Sequence, residues 1–271
     1  MTQTDLLLVD GHAAAFNSWY SSYPHEVAEG FIYMLDDLVD RHRPSHAVIA
    51  FDPPPPVFRH LLYPPYKEGR PPVPREFLDE CEDLKQWLEG RGYALAEVEG
   101  YEADDTIGTL ATRARRKGMS TVIATCDLDL LQLVNDRTTA EVFSQYWPTR
   151  QFDVEKTTRR FNGLVPSQIP DYKALAGDKT DNLPGVPGIG DVTATALLAE
   201  RESLQDIYKD LSFVGDIGLR GAKRTAEVLD ANRDLAFLMK KMTTIVCDVQ
   251  LELDPGQSVL PPPVKVTGVS G

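Results

Sequence analysis

The chain has 271 residues, and 28 Lys and Arg against 41 Asp and Glu leave a formal charge of −13 and a pI near 4.8. Taken alone, that balance argues against a nucleic-acid ligand, while 42% hydrophobic residues exclude a disordered acidic segment and allow one large domain or two modest ones. Three cysteines without CxxC spacing exclude a disulfide framework or zinc site; with no basic leader and no apolar run of about 18 residues, the expectation is a cytoplasmic protein without a membrane partner.

Three short apolar runs each lead to an acid. Leu6-Leu7-Leu8-Val9 ends at Asp10, Ala47 to Phe51 at Asp52, and Val122-Ile123-Ala124 is soon followed by Asp127. Runs apolar at consecutive positions read as strands buried on both faces of a parallel sheet. Helical spacing over Glu26 to Arg41 and Phe77 to Leu88 supplies crossovers. In such a sheet the strand ends share one edge, so Asp10, Asp52 and Asp127 should converge there.

Nine of the 20 prolines fall between Pro53 and Pro74, and the stretch to Arg75 carries Arg59, Lys67, Arg70 and Arg75 against only Glu68. This basic island reads as a projecting loop, arch or linker. Beyond Gln151 helical patterns dominate, at Asp191 to Glu200, Gln205 to Leu211 and Lys223 to Met242. The expected organisation is a core over 1–165 that includes an arch at about 53–76, a helical region over 166–255, and a poorly ordered tail over 256–271.

Glu102, Asp104 and Asp105 occupy the first turn of a helix whose apolar series starts at Ile107. One acid there would complement the helix dipole, for roughly 0.3–1 kcal/mol; three repel one another and favour a cation site. Asp127 and Asp129, then Asp178 and Asp181, could each be a helix cap or a turn on its own. With Asp10 and Asp52 they make nine carboxylates without a Cys/His cluster, a donor set for Mg²⁺ or Mn²⁺. Gly185-Val186-Pro187-Gly188-Ile189-Gly190 opens a further helix, which is either an ordinary Gly/Pro turn or a helix-hairpin-helix that grips duplex phosphates.

The motifs Asp10-Gly11-His12, Phe51-Asp52, Phe58-Arg59-His60, Tyr66-Lys67-Glu68-Gly69-Arg70, Gly100 to Asp105, Asp127 to Leu133 and Gly177 to Gly190 together resemble the 5′-nuclease family, over about residues 5 to 250. That family comprises flap endonucleases and the 5′–3′ exonuclease domain of bacterial DNA polymerase I. The resemblance implies an α/β fold: a PIN-like core with a mostly parallel sheet flanked by helices, a basic helical arch or loop, and a C-terminal helical region with a helix-hairpin-helix.

The resemblance also implies two Mg²⁺ or Mn²⁺ ions on Asp10, Asp52, Glu102, Asp104, Asp105, Asp127, Asp129, Asp178 and Asp181, and K⁺ at the hairpin. Lys67 and Arg70 become catalytic candidates; Arg59, Tyr66, Gly185, Gly188, Ile189 and Gly190 become DNA-binding candidates. The implied partner is DNA with 5′ flaps, nicks or gaps, or RNA-containing 5′ ends, and the expected state is a monomer, either a stand-alone nuclease, the favoured reading, or an excised domain. Asn17, Leu128 and Asp191 depart from the basic residues usual at their positions, which keeps open a catalytically weak, structure-specific DNA-binding protein; an RNA-directed PIN-type ribonuclease is a third reading. Nine of the 41 acidic residues now have one location, so much of the acidity that argued against nucleic acid is a place for cations.

Overall fold

The consecutive apolar runs become strands because each has two faces to bury. In the computed structural model, which describes residues 4–21, 26–144, 147–218 and 221–261, Leu6 and Leu8 enter one core with Val48, Ala50 and Ile123. Leu7 and Val9 enter a second core on the opposite face with Ala47, Ile49, Val122 and Ala124. Strands β1 (Leu6–Asp10), β2 (His46–Ala50), β3 (Ala94–Ala96), β4 (Thr121–Thr125), β5 (Thr138–Ser144) and β6 (Trp147–Phe152) form one sheet in the order β3-β2-β1-β4-β5-β6. Pairing is parallel except between β5 and β6. The chain winds outward from β1 in both directions, so Asp10 ends the strand at the switch point, where open parallel sheets bind ligands.

Helices α1 (Gly11–Ser21), α2 (Ala28–His42) and α4 (Arg75–Gly90) cover one face through residues such as Trp19, Phe31, Leu35, Phe77 and Leu84. A short α3 (Phe58–Leu62) lies between α2 and α4 in the chain, and α5 (Ala103–Arg116) covers the other face through Ile107, Leu110 and Ala114. After α6 (Val154–Arg160) the same core continues into α7 (Ile169–Ala176), α8 (Asp191–Glu200), α9 (Leu204–Lys209), α10 (Ala222–Ala231) and α11 (Arg233–Thr243). The fold is thus α/β with a C-terminal helical part. Among the described residues no helix is long and apolar enough to cross a membrane.

Two expectations change. The single helix expected over Lys223 to Met242 is broken at Asn232, whose side-chain amide donates to the Val228 carbonyl at 2.8 Å and offers the backbone an alternative to continuation. The expected tail is docked as far as residue 261. Ala47 N donates to Ser258 O at 2.9 Å and Leu260 N to Ser45 O at 3.0 Å, which anchors the segment at the start of β2. Residues 262–271 lie outside the described part.

Candidate active site

Asp10 leaves β1 directly into α1, and this close passage depends on Gly11: a Cβ there would lie 2.7 Å from the Phe51 ring and 2.8 Å from the Ala50 carbonyl. The Asp10 carboxylate accepts from Ala13 N at 3.1 Å and from Thr125 Oγ1 at 2.8 Å. Asp52 follows β2, accepts from Ala103 N at 2.7 Å, and donates its own N–H to His12 Nδ1 at 2.9 Å. The carboxylate of Asp127 accepts from Asp129 N at 2.8 Å. Eight of the nine expected acids, Asp10, Asp52, Glu102, Asp104, Asp127, Asp129, Asp178 and Asp181, line one cavity of about 710 Å³ together with Lys67, Arg70 and Lys173.

The cavity has two electrostatic halves. Burial first, then the charge of Asp52, raise the Asp10 carboxyl to about 7 despite its two hydrogen bonds. Asp104 is pushed well up by burial and by the charges of Asp127 and Asp10. Asp127, open to solvent but packed deep among protein atoms, is raised by that desolvation, which Lys173 and Lys67 only partly offset. In the other half the protein supplies cations, although burial still raises Asp181 against Lys67 and Arg70. Glu102 is held down, against the effect of its burial, by Lys67 and then Arg59; Asp178 is held down, again against burial, by Lys173. Lys67 pairs with Glu102, Arg70 with Asp181, and Lys173 with both Asp129 and Asp178.

Asp105 is the ninth acid, and the structure places it outside the cavity. It is fully buried, and its oxygens accept from Arg59 Nη1 at 2.7 Å, Arg59 Nη2 at 2.9 Å, Val246 N at 2.9 Å and Glu102 N at 3.1 Å. This corrects Arg59 as well, expected as a DNA contact. Arg59 is 3% exposed, and its guanidinium also donates to Glu102 and to the Met242 and Thr244 carbonyls. Desolvation opposes its charge, but the hydrogen bonds and charge of Asp105, and then Glu102, raise its pKa further. Arg59 therefore ties α3, the first turn of α5 and the segment after α11 together.

Tyr66, expected to stack on a base, is 4% exposed, and its hydroxyl donates to Glu102 at 2.9 Å and to Asp181 at 3.1 Å. The expected projecting arch is folded down at this point. Lys67 N donates to Asp181 O at 3.0 Å and the Asn182 amide to Pro65 O at 2.8 Å, so the turn that carries Lys67 rests on the turn that carries Asp181. His60, without a role in the sequence, caps α3 by accepting from Val57 N at 3.2 Å.

The glycine hairpin divides similarly. Gly185 crosses the backbone at Gly177, where a Cβ would lie 2.3 Å from the Gly177 nitrogen, and its φ is +65°. This contact fixes the loop of Asp178 and Asp181, and Ile189 is buried in the core. Gly188 and Gly190 have open space around them and are the hairpin positions free to meet a ligand. Lys173 is not among the site residues expected from the sequence; the available signal was a lysine on the helix that runs into Gly177-Asp178. His12 and Phe16, which also line the cavity, gave no signal beyond their place in the helix after Asp10.

The carboxylates outnumber the other donors around the cavity, His12 and Cys126, and Asp10, Asp104 and Asp127 are all raised, by burial first and by neighbouring carboxylates after it, a penalty on the charged forms that a divalent cation would offset, so the residues fit a hard ion. Among the described residues no three His, Cys, Asp or Glu side chains form a closed ligand set. In the Asp129, Asp178, Asp181 and Glu102 half, ammonium and guanidinium groups occupy the carboxylates.

Residues 5–162 match the model of the 5′–3′ exonuclease N-terminal resolvase-like domain, and residues 164–265 that of the 5′–3′ exonuclease C-terminal SAM fold. The chain is 36% identical to DNA polymerase I of Chloroflexus aurantiacus over 262 residues, which cover 92% of this chain and 27% of the relative. With DNA polymerase I of Pseudomonas aeruginosa it shares 35% over 263 residues, or 94% and 28%. It thus spans about a quarter of the length of these relatives. The fold is similar to T5 5′-exonuclease in a structure with bound zinc (TM-score 0.76, 20% identity, 89% of this chain and 90% of that one). It is also similar to the catalytic core of Rad2 in complex with DNA substrate (TM-score 0.58, 16% identity, 89% and 78%).

Proposed function

The chain belongs to the 5′–3′ exonuclease family, and from that membership we propose that it is a structure-specific 5′ nuclease that hydrolyses phosphodiester bonds near the 5′ end of DNA flaps, nicks or gaps. The observation that carries this reading is the convergence of eight carboxylates with Lys67 and Arg70 on one cavity at the switch point of the sheet. Asp10, Asp52, Asp104 and Asp127 would hold one Mg²⁺ or Mn²⁺, and Asp129, Asp178 and Asp181 a second. When bound, such ions activate water and stabilise the leaving oxygen of an in-line displacement.

The chain's own residues position and neutralise. Asp10 is kept in orientation by Thr125 and the Ala13 N–H, and Asp52 by the Ala103 N–H at the start of α5. Arg70, about half exposed, and Lys67 are the cations that can transfer from Asp181 and Glu102 to a substrate phosphate, where they would offset the charge that develops at the reacting phosphorus. Gly188 and Gly190 would present backbone to duplex phosphates, and the same hairpin would hold K⁺, which would supply positive charge to them. No side chain need act as nucleophile; attack by water on phosphorus with cleavage of the P–O3′ bond would give 3′-hydroxyl and 5′-phosphate ends. A monomer in the cytoplasm, with the nuclease region as the functional unit over about 1–165 and 166–255, belongs to the same reading.

A 5′-labelled flap oligonucleotide with Mg²⁺, with EDTA, and with Asp104→Asn tests it. The reading requires a short product only in the first case. A gel shift without product under all three conditions would instead establish the DNA-binding protein without catalysis, and preferential cleavage of an RNA flap the ribonuclease.

A further inference from the structure

One half of the carboxylate ring carries its counter-charges within the protein. Among the described residues no lysine or arginine pairs with Asp10, Asp52, Asp104 or Asp127, whereas Asp129, Asp178 and Asp181 each have one such partner and Glu102 has two, Arg59 and Lys67. The three cavity cations that pair with these acids, Lys67, Arg70 and Lys173, are not equivalent. The side chains of Arg70 and Lys67 are 46% and 26% exposed and lie on the turn after α3, within reach of an incoming phosphate. The Lys173 side chain is 14% exposed, projects from α7, and donates to Asp178 at 2.6 Å and to Asp129 as well.

We infer that Lys173 is the resident counter-cation of the Asp129–Asp178 pair, and that a divalent ion enters this half of the site only by displacing it. An ammonium seated between two carboxylates occupies the oxygen lone pairs an ion needs, and its charge repels the ion at short range. The ion also competes with a group covalently tethered beside the pair, a competitor whose effective concentration does not fall on dilution. The two halves of the cavity therefore differ in intrinsic affinity. The Asp10, Asp104 and Asp127 half takes an ion readily, because binding relieves repulsion there. The Asp129–Asp178 half takes one weakly, because binding also costs an ion pair. Lys173 additionally keeps Asp129, on the segment after β4, next to Asp178, on the loop after α7, and so joins two distant parts of the chain before any ion binds. It is a positioning residue rather than one that touches the reacting atoms.

The inference rests on the metal-site reading above, and titration of Mn²⁺ alone separates the two. Calorimetry on the full chain stripped with EDTA, without DNA, is expected to show a tight and a weaker class of Mn²⁺ site. Lys173→Met and Lys173→Gln should tighten the weaker class by roughly tenfold or more while the tight class stays within about twofold, and Lys173→Arg, which keeps the charge, should leave both classes in place. A weaker class unchanged in folded Lys173→Met and Lys173→Gln proteins overturns the inference alone. Absence of any Mn²⁺ binding in the parent chain and all variants overturns the metal-site reading and the inference with it. Circular dichroism identifies which variants are folded, and Lys173→Gln carries the test if the methionine variant is not.

Discussion

Replacement of Arg59 by methionine separates a buried latch from a DNA contact. In the structure the guanidinium supplies two hydrogen bonds to a fully buried Asp105, one to Glu102, and two to the backbone carbonyls of Met242 and Thr244. Arg59→Met leaves Asp105 charged and out of water with only the Glu102 and Val246 N–H groups, and it strands the two carbonyls. Breaking a buried pair on one side costs about 3–5 kcal/mol, which for a chain of this size lowers Tm by roughly 10 °C. Thermal unfolding followed by circular dichroism in EDTA measures this, and fluorescence anisotropy of a labelled flap well below Tm measures DNA affinity. The expected result is a large fall in Tm with affinity within about twofold of the parent. The double variant Arg59→Met with Asp105→Leu should recover part of the loss, since removal of both buried charges is far less costly than removal of one. A Tm within about 2 °C of the parent, accompanied by an affinity reduced tenfold or more, would refute the latch and restore the DNA contact expected from the sequence.

Asp10 supplies a pH dependence. Its folded pKa of about 7 lies above the ordinary 3.8, so the native state binds the extra proton between those values; stability of the EDTA-treated protein should fall as pH rises from about 4 to about 7, by up to about 1.4 kcal/mol per unit. Urea denaturation between pH 5 and pH 8 checks this, and Asp10→Asn should flatten the slope while it abolishes cleavage; an unchanged slope in that variant would remove the burial argument. Gly185→Ala should destabilise by about 2 kcal/mol or more and reduce activity, because its Cβ lies 2.3 Å from the Gly177 nitrogen, whereas Gly188→Ala, with open space around it, should cost only about 1 kcal/mol for its φ of +80°. Denaturant midpoints compare the two, and equal losses would refute the crossing as the reason for Gly185. Lys67→Ala should lower kcat more than it raises KM on a flap substrate; equal effects on binding and turnover would make Lys67 a simple phosphate anchor.

The strand-then-acid rhythm made β1, β2 and β4 legible, because a strand buried on both faces must be apolar at successive positions and the sheet then brings Asp10, Asp52 and Asp127 to one edge. It could not reveal β3, which has only three residues, or β5, where Thr138, Thr139 and Glu141 break the apolar run. Glu141 sits fully buried in β5 because Arg41 and His42, a hundred residues away in the chain, pair with it. Periodicity carries no trace of such a partner. Asp104 and Asp105 show the same limit at the site. They are neighbours of one residue type in one helical turn, and only the helix rotation, about 100° per residue, sends Asp104 into the cavity and Asp105 to Arg59.

The basic residues follow from this division of the acids. The sequence shows Arg59, Lys67 and Arg70 as one positive island, as if all three faced a polyanion. Folding spends Arg59 internally, leaves Arg70 about half exposed, and holds Lys67 between these extremes on Glu102. Each of these cations has a carboxylate partner inside the chain, so a DNA phosphate, on the proposed function, would compete for Lys67 and Arg70 with Glu102 and Asp181 and would not meet free charges. The acids released by that exchange lie on the same cavity as the scissile bond would. On the proposed function, substrate binding and the availability of oxygen ligands would therefore be coupled by the same two side chains. Raising Mn²⁺ or Mg²⁺ should thus strengthen flap binding by a cleavage-deficient Asp104→Asn protein, and weaken that effect when Arg70 is changed to Gln. Anisotropy titrations at matched ionic strength measure both arms, and an equal metal dependence in the Asp104→Asn protein with and without Arg70→Gln would refute the coupling.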